Sequence, residues 1–338
     1  MLECKYVLWG SINNLPPSRN QQFPLYLFSI LFFHQTFPLL MRSSFVFFLL
    51  VWCCSPAFSQ KSSQQLKQQI EDRLASKKAV VGVAIQYKNE KISVNGKRHF
   101  PMQSVFKCPI GLFMMAEIDK GKFQLNQPIE IKKEDLLTPD IYSPIRDTYP
   151  NGTTLTIAQI LEYTVSMSDN VGCDMLLKLL GGPSSVEKYF HEKGFKDISI
   201  KINEETMQSD WNSQFQNWTT PLEANKILKA FYENKNAYLS PESHQFIWNI
   251  LKNTSTGAHR LKGLLPAGTT VAHKTGWSGQ NKQTGITAAV NNIGIIFLPN
   301  GEPLYISVFV TESIEDFDAN ERIIAEIAEM AWNYYTKM

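Results

Sequence analysis

Apolar and polar residues follow two periods along this chain, and the changes of period mark out its elements. "QQLKQQIEDRLASKK" (64–78) carries apolar residues at helical spacing, which predicts an amphipathic first helix. "VVGVAIQYKN" and "EKISVNG" then alternate and turn like two antiparallel strands. The middle of the chain is helical in pattern, with helices expected at 104–119, 156–166, 170–180, 184–193, 221–233 and 241–252. Gly181-Gly182-Pro183 closes the third of these. Strand patterns return in "TVAHKTG" (270–276), "TGITAAVNNIGIIFLP" (284–299) and "LYISVFVT" (304–311), with Asn300-Gly301 as a hairpin turn between the last two. A long helix over 314–336 ends the chain. Strands at both ends with helices between predict an α+β fold. One antiparallel sheet forms from distant segments, terminal helices cover one of its faces, and the helical middle makes a second lobe across a cleft.

The first 60 residues differ in kind. "FPLYLFSILFF" (23–33) and "FVFFLLVWCC" (45–54) are apolar but short for membrane spans. Met41-Arg42, the second apolar run and the small residues near "AFS" compose a secretory signal peptide over about 41–59, behind an upstream extension over 1–40. The catalytic domain is then 61–338, with an α/β lobe over about 61–103 and 255–338 and an all-α lobe over about 104–254. Such a chain is exported and keeps no stable membrane association after cleavage. Cys4, Cys53 and Cys54 leave with the leader. Cys108 and Cys173 remain in apolar helical patterns as buried free thiols, with pairing as the alternative.

Across all 338 residues 19% are charged, and the net charge of +2 is spread without clusters, so nothing suggests nucleic acid as a partner. The six histidines are scattered without ligand spacing, so neither a metal centre nor a cofactor is expected. Monomer is the default state.

Three polar signals interrupt this pattern. In "QSVFKCPIGLFMMA" (103–116) Lys107 stands in an apolar run, one helical turn after Ser104. Such a lysine either snorkels to solvent or serves as the base that a serine nucleophile needs. Ser168-Asp169-Asn170 falls where one helical pattern ends and the next begins, which also suits ordinary N-cap residues. Lys274-Thr275-Gly276 lies on a strand, where a lysine can simply protect a sheet edge and a glycine mark a bulge.

Together the three resemble the signature set of the serine β-lactamase and penicillin-binding-protein superfamily, S-x-x-K, S-D-N and K-T-G. "KINEETMQSDWNSQFQNW" lies where class A β-lactamases carry a loop with a glutamate base, and by register that residue is Glu204, with Glu205 one place late. "FPMQSVFK", "YSP", "QNWTTP" and "FLPNG" look most like the extended-spectrum cephalosporinase branch of class A, the PER- and CfxA-like enzymes. The resemblance covers residues 62–338 and implies a fold with a five-stranded antiparallel sheet in its α/β lobe, packed on an all-α lobe.

The resemblance implies hydrolysis of a small-molecule substrate, a cephalosporin or penicillin, through an acyl-enzyme on Ser104. Lys107, or Glu204 through a water, takes the serine proton, and Glu204 activates the deacylating water. Ser168 relays a proton to the lactam nitrogen. The backbone N–H groups of Ser104 and Trp277 form the oxyanion hole. Asn170, Lys274, Thr275 and Gly276 bind substrate, Tyr142 forms an aromatic wall, and Arg260 matches an arginine that faces the substrate carboxylate. Gln208 stands where a water-positioning asparagine is usual, Ile202 replaces a common arginine, and Trp277 is bulky for its place. Pro109 and Gly111 stand early in the nucleophile helix, where an interior proline costs about 3 kcal/mol. The competing readings are a D-Ala-D-Ala carboxypeptidase or transpeptidase and a membrane-anchored β-lactam sensor domain.

Overall fold

A computed structural model describes residues 62–338, so the extension, signal peptide and cleavage site expected before residue 60 lie outside the described residues. Helix α1 (Ser63–Leu74) leads into strands β1 (Val80–Tyr87) and β2 (Glu90–Val94). The middle holds helices α2 (Lys107–Asp119), α3 (Asn170–Leu180), α4 (Pro183–Glu192), α5 (Pro221–Glu233) and α6 (Pro241–Lys252). Strands β3 (Val271–Trp277), β4 (Val290–Phe297) and β5 (Pro303–Thr311) and helix α7 (Phe317–Tyr335) complete the chain. The expected α+β class and five-stranded sheet are both present.

The sheet runs β2-β1-β5-β4-β3, and every neighbouring pair is antiparallel. Alternation along β5 shows how it joins two cores. Leu304, Ile306, Val308 and Val310 pack with Leu66 and Ile70 of α1 and with Ile323, Ile324 and Ile327 of α7. Tyr305 and Phe309 point the other way, into the core of the central helices. Arg73 of α1 forks onto Glu326 of α7, Nε to Oε2 at 2.7 Å and Nη2 to Oε1 at 2.9 Å, which ties the terminal helices together. On the opposite face Asn225 of α5 donates to Tyr305 O at 3.2 Å and accepts from Ser307 Oγ at 2.6 Å.

Most boundaries follow local chemistry. Thr220 and Ser240 each accept the N–H three residues on, and a proline follows each as the first helical residue of α5 and α6. Gly181, at φ 88°, ends α3 in the left-handed conformation. The hairpin at Asn300-Gly301 is present, with Gly301 N–H donating to Leu298 O at 2.8 Å. The strand expected over 284–299 is shorter. Its first residues form a turn instead, in which Asn281 Oδ1 accepts from the N–H groups of Gln283 and Thr284.

The nucleophile helix also differs from expectation. Residues 103–106 form a 3₁₀ turn, and the α-helix proper begins at Lys107. Pro109 is therefore the third α-helical residue, among those whose N–H has no partner within the helix. The penalty of an interior proline does not arise. α2 is buried on all sides from Lys107 to Glu117. A Cβ on Gly111 would stand 3.0 Å from Val165 Cγ2 and 3.1 Å from Ile247 Cδ1, so glycine lets the neighbouring segments close on α2. In urea unfolding, Pro109→Ala is expected to change stability by less than about 1 kcal/mol, and Gly111→Leu to cost about 1–3 kcal/mol by overpacking. A loss near 3 kcal/mol from Pro109→Ala with Gly111→Leu neutral would reverse this assignment.

Candidate active site

The three signals and the glutamate loop converge on one ammonium group. Lys107 is fully buried, and its Nζ donates to Ser104 Oγ at 2.7 Å, to Asn170 Oδ1 at 2.6 Å and to Glu204 Oε1. Snorkelling is thereby ruled out. Three hydrogens meet three acceptors, so the ammonium is saturated. Glu204 is 1% exposed, whereas Glu205 beside it is exposed, which settles which member of the pair faces inward.

The backbone around Ser104 is held in a costly conformation. Gln103 has φ 47°, left-handed for a residue with a side chain, at a cost of about 1–3 kcal/mol. Its side chain is buried and donates to Gln214 Oε1 at 2.7 Å. Met102 N–H donates to Asn217 O at 2.9 Å, and Asn291 Nδ2 donates to Pro101 O and Met102 O at 2.8 and 3.1 Å. Gly276 on edge strand β3 closes the other side: a Cβ there would stand 2.5 Å from Met102 O. The glycine of Lys-Thr-Gly thus brings the edge strand against the serine turn.

The Ser168 segment starts from a π-helical turn over Glu162–Ser166, where a single α-helix over 156–166 was expected. Ser168 then takes φ 65°, a second left-handed residue at the site. Asp169 does what a cap residue does: its Oδ1 accepts Gly172 N–H at 2.7 Å at the start of α3. Its Oδ2 accepts from Ser143 Oγ at 2.9 Å and Ile145 N–H at 2.6 Å, fixing the segment that presents Tyr142, itself 55% exposed. Capping and site-building are the work of one tripeptide, since Asp169 holds the helix while Ser168 and Asn170 face the lysines.

Lys274 is also fully buried; its Nζ donates to Ser168 Oγ at 2.8 Å and Thr275 O at 3.1 Å. Burial first, and the charge of Lys107 second, push its pKa well below the ordinary lysine value. Among the described residues the buried cations are Lys107, Lys274 and Arg260. Lys107 has Glu204 and Arg260 has Glu321, with Nε to Oε1 at 2.9 Å. Lys274 has only neutral hydrogen-bond partners. Arg260 Nη1 donates to Gly276 O at 2.9 Å and to Asn291 O at 3.0 Å, so this arginine grips the backbone at the end of β3. Thr275 Oγ1 lies 2.7 Å from Thr256 Oγ1.

The glutamate loop is fastened by residues that the sequence reading passed over. Asp174 of α3 accepts Glu204 N–H on Oδ1 at 2.7 Å, and Glu205 N–H and Asn203 Nδ2 on Oδ2, both at 3.0 Å. Asn203 in turn caps the short helix Glu204–Ser209 through Thr206 N–H. Burial, aided by the charge of Glu204, raises Asp174 to about 7 against the hydrogen bonds that favour its ionised form. Buried Asn217 bonds Lys201 N–H and Ile202 N–H through Oδ1 and Ile202 O through Nδ2. Ile202, where an arginine is usual, enters the apolar core instead. Gln208 is exposed and lies outside the network that joins Ser104, Lys107 and Glu204. Cys108 and Cys173 are free and buried, and burial pushes the Cys108 thiol up to about 12. Asp174, Asn217 and Gln103 are common polar residue types whose weight comes from long-range partners, so no local pattern marks them.

Comparison with known proteins agrees with this geometry. A profile of the β-lactamase enzyme family matches residues 65–335. The chain is 55% identical over 280 residues to β-lactamase VEB-1 of Pseudomonas aeruginosa, spanning 82% of this chain and 93% of that one. It is 42% identical to the extended-spectrum β-lactamase PER-1 of the same organism, over 81% of this chain and 89% of that one. The crystal structure of TLA-1 extended-spectrum β-lactamase superposes with a TM-score of 0.78 at 46% identity, covering 81% of this chain and 99% of that one. A class A β-lactamase from Bacteroides cellulosilyticus gives the same TM-score at 37% identity, over 82% and 99% of the two chains. With a serine, two buried lysines and a buried glutamate brought together on this fold, the chain belongs to the β-lactamase family, as a class A serine enzyme that hydrolyses β-lactams.

Proposed function

We propose that hydrolysis runs through an acyl-enzyme on Ser104 that Glu204 helps to release, with cephalosporins and penicillins as substrates. The observation that carries this reading is the single contact set of Lys107, which touches Ser104, Asn170 and Glu204 at once. Ser104 Oγ attacks the lactam carbonyl carbon and its proton passes to the Lys107–Glu204 pair. A saturated ammonium has no lone pair, so Lys107 accepts that proton only after giving one to Glu204; a water between Ser104 and Glu204 is the other route. The N–H groups of Ser104 and Trp277 stabilise the carbonyl oxygen as it gains charge. Ser168, bonded to Lys274, hands a proton to the lactam nitrogen as the C–N bond breaks. It is reprotonated by the proton that the Lys107–Glu204 pair took from Ser104, which returns the pair to its starting state. Glu204 then takes a proton from the water that attacks the ester carbonyl and returns it to Ser104 Oγ as the ester C–O bond breaks.

The binding roles follow from free valences and unpaired charge. Asn170 spends Oδ1 on Lys107, which leaves its Nδ2 to donate to the substrate's side-chain carbonyl. Lys274, the buried cation without an acidic partner, takes the substrate carboxylate together with Thr275. Tyr142, largely exposed, supplies an aromatic wall to the cleft. Arg260 acts through the backbone of Gly276, which it grips, and through its charge. The leader reading adds export to the periplasm or the medium, with monomer as the default state, and N-terminal sequencing of the exported protein checks the cleavage near residue 59.

Purified enzyme is expected to turn over a chromogenic cephalosporin many times per molecule. Glu204→Gln is expected to lower kcat at least a hundredfold while mass spectrometry shows the acyl adduct on Ser104, and Glu205→Gln to leave kcat within about threefold. A stoichiometric burst without steady state in the wild type would sink the mechanism, and an adduct trapped by Glu205→Gln would move the base by one residue.

A second expectation concerns Asp174. Its folded pKa of about 7 lies above the unfolded carboxyl value, so the folded state holds an extra proton between the two. Its contribution to stability is fully present below the unfolded value and is lost as pH rises through 7. Between pH 5 and 8 the wild type should lose about 2 kcal/mol more unfolding free energy than Asp174→Asn, by urea titration at each pH. Equal losses in the two proteins would remove Asp174 as the source.

A further inference from the structure

Resting on the carboxylate role proposed for Lys274 and Thr275, we infer that Trp277 and Phe317 form an aromatic shelf that selects cephalosporins carrying a flat ring at C3. Both side chains are large, apolar and open to solvent, 55% and 40% exposed, and neither belongs to a hydrophobic core. Their ring centroids are 4.9 Å apart with planes tilted by 53°. Two exposed aromatic rings that pack on each other beside a cleft present a π surface to a ligand.

The pair is held in place by buried groups. The guanidinium carbon of Arg260 lies 5.7 Å from the centre of the Phe317 ring. Its Nε is bonded to Glu321, one turn further along α7, and its Nη1 to the carbonyl oxygen of Gly276, the residue before Trp277. Arg260 is 5% exposed, so the two aromatic residues share one buried anchor. Phe317 opens α7 next to Asp316, whose Oδ1 caps that helix by accepting Ala319 N–H at 2.7 Å.

Substrate chemistry supplies the direction. Trp277 follows Thr275 by two residues on β3, so both side chains leave the strand on the same side, about 7 Å apart along it. In a cephalosporin the carboxylate is carried by C4, and C3 is the adjoining ring atom. With the carboxylate at Lys274 and Thr275, the first atom of a C3 substituent lies three bonds from the carboxylate carbon, within reach of the indole. A planar heteroaromatic group there stacks on Trp277, whereas a methyl group covers little of it. A penicillin has no equivalent of this substituent.

The test compares two cephalosporins with one C7 side chain, one bearing a heteroaryl-thiomethyl group at C3 and the other a methyl. The ratio of their kcat/KM values is measured for wild type, Trp277→Ala, Trp277→Phe and Phe317→Ala. Intrinsic reactivity, and any change to the backbone donor at residue 277, cancel in the comparison of ratios. Trp277→Ala should lower the heteroaryl-to-methyl ratio about five- to tenfold, mainly through KM. Phe317→Ala should lower it by a smaller factor, and Trp277→Phe should keep most of it. Ratios unchanged in Trp277→Ala and Phe317→Ala, with both substrates still hydrolysed, overturn the shelf. Failure of the wild type to hydrolyse either compound would instead refute the underlying reading.

Discussion

Everything at this site depends on a charge pair that water cannot reach. Lys107 and Glu204 are fully buried and in contact. Taking two such ions out of water costs several kcal/mol for each, and only good geometry with further hydrogen bonds offsets it. Those bonds come from separate parts of the chain: Ser104 from the turn before α2, Asn170 from the start of α3, and Glu204 from a loop far along the sequence. The pair is therefore also a joint between elements. Removing either member leaves an uncompensated buried charge, so the contact set that suits proton transfer also penalises misplacement of the loop.

The loop is held from behind by a second acid, and the two acids oppose one another. Asp174 receives three donors from residues 203–205, while its own ionisation is disfavoured by burial and by Glu204. A neutral side chain there would relieve the charge but offer fewer acceptors to the backbone. An ionised one grips the loop and raises the local negative charge. The same tension appears in the backbone at Gln103 and Ser168, two left-handed residues flanking the reactive groups. Strain of this kind persists only where surrounding bonds over-determine it. The Gln103–Gln214 bond, the Asn291 bonds and the close approach of Gly276 do so around Ser104.

How much of this could be read in the sequence follows the range of the interactions. The helices and strands were legible because period, caps and turn residues are local, as at Thr220-Pro221, Ser240-Pro241 and Gly181. Ser104, Lys107, Ser168, Asn170 and Lys274 were legible through motif order, and the register that picked Glu204 over Glu205 agrees with their burial. The break from 3₁₀ to α-helix before Pro109 was not, because it depends on how residues 101–103 are tied to β4 and to Asn217. Asp174 and Asn217 escaped for the same reason, since their partners are 15 to 31 residues away. Arg260 was legible as an arginine near the site, but its grip on Gly276 and Asn291 needs the strand pairing to be known.

The arrangement of charges also explains why an anionic substrate suits the cleft. Three cations are buried around it, and two have carboxylates of their own. Lys274 has a hydroxyl and a carbonyl, and its protonated form is penalised by burial and by Lys107. A ligand carboxylate at that point supplies the missing negative charge, favours the protonated lysine and reduces the repulsion between the two ammonium groups. A carboxylate bound there would shift Lys274 toward its protonated form before any bond is broken. A ligand carboxylate would offset the unpaired charge at Lys274, and a neutral analogue of the same shape would leave it in place.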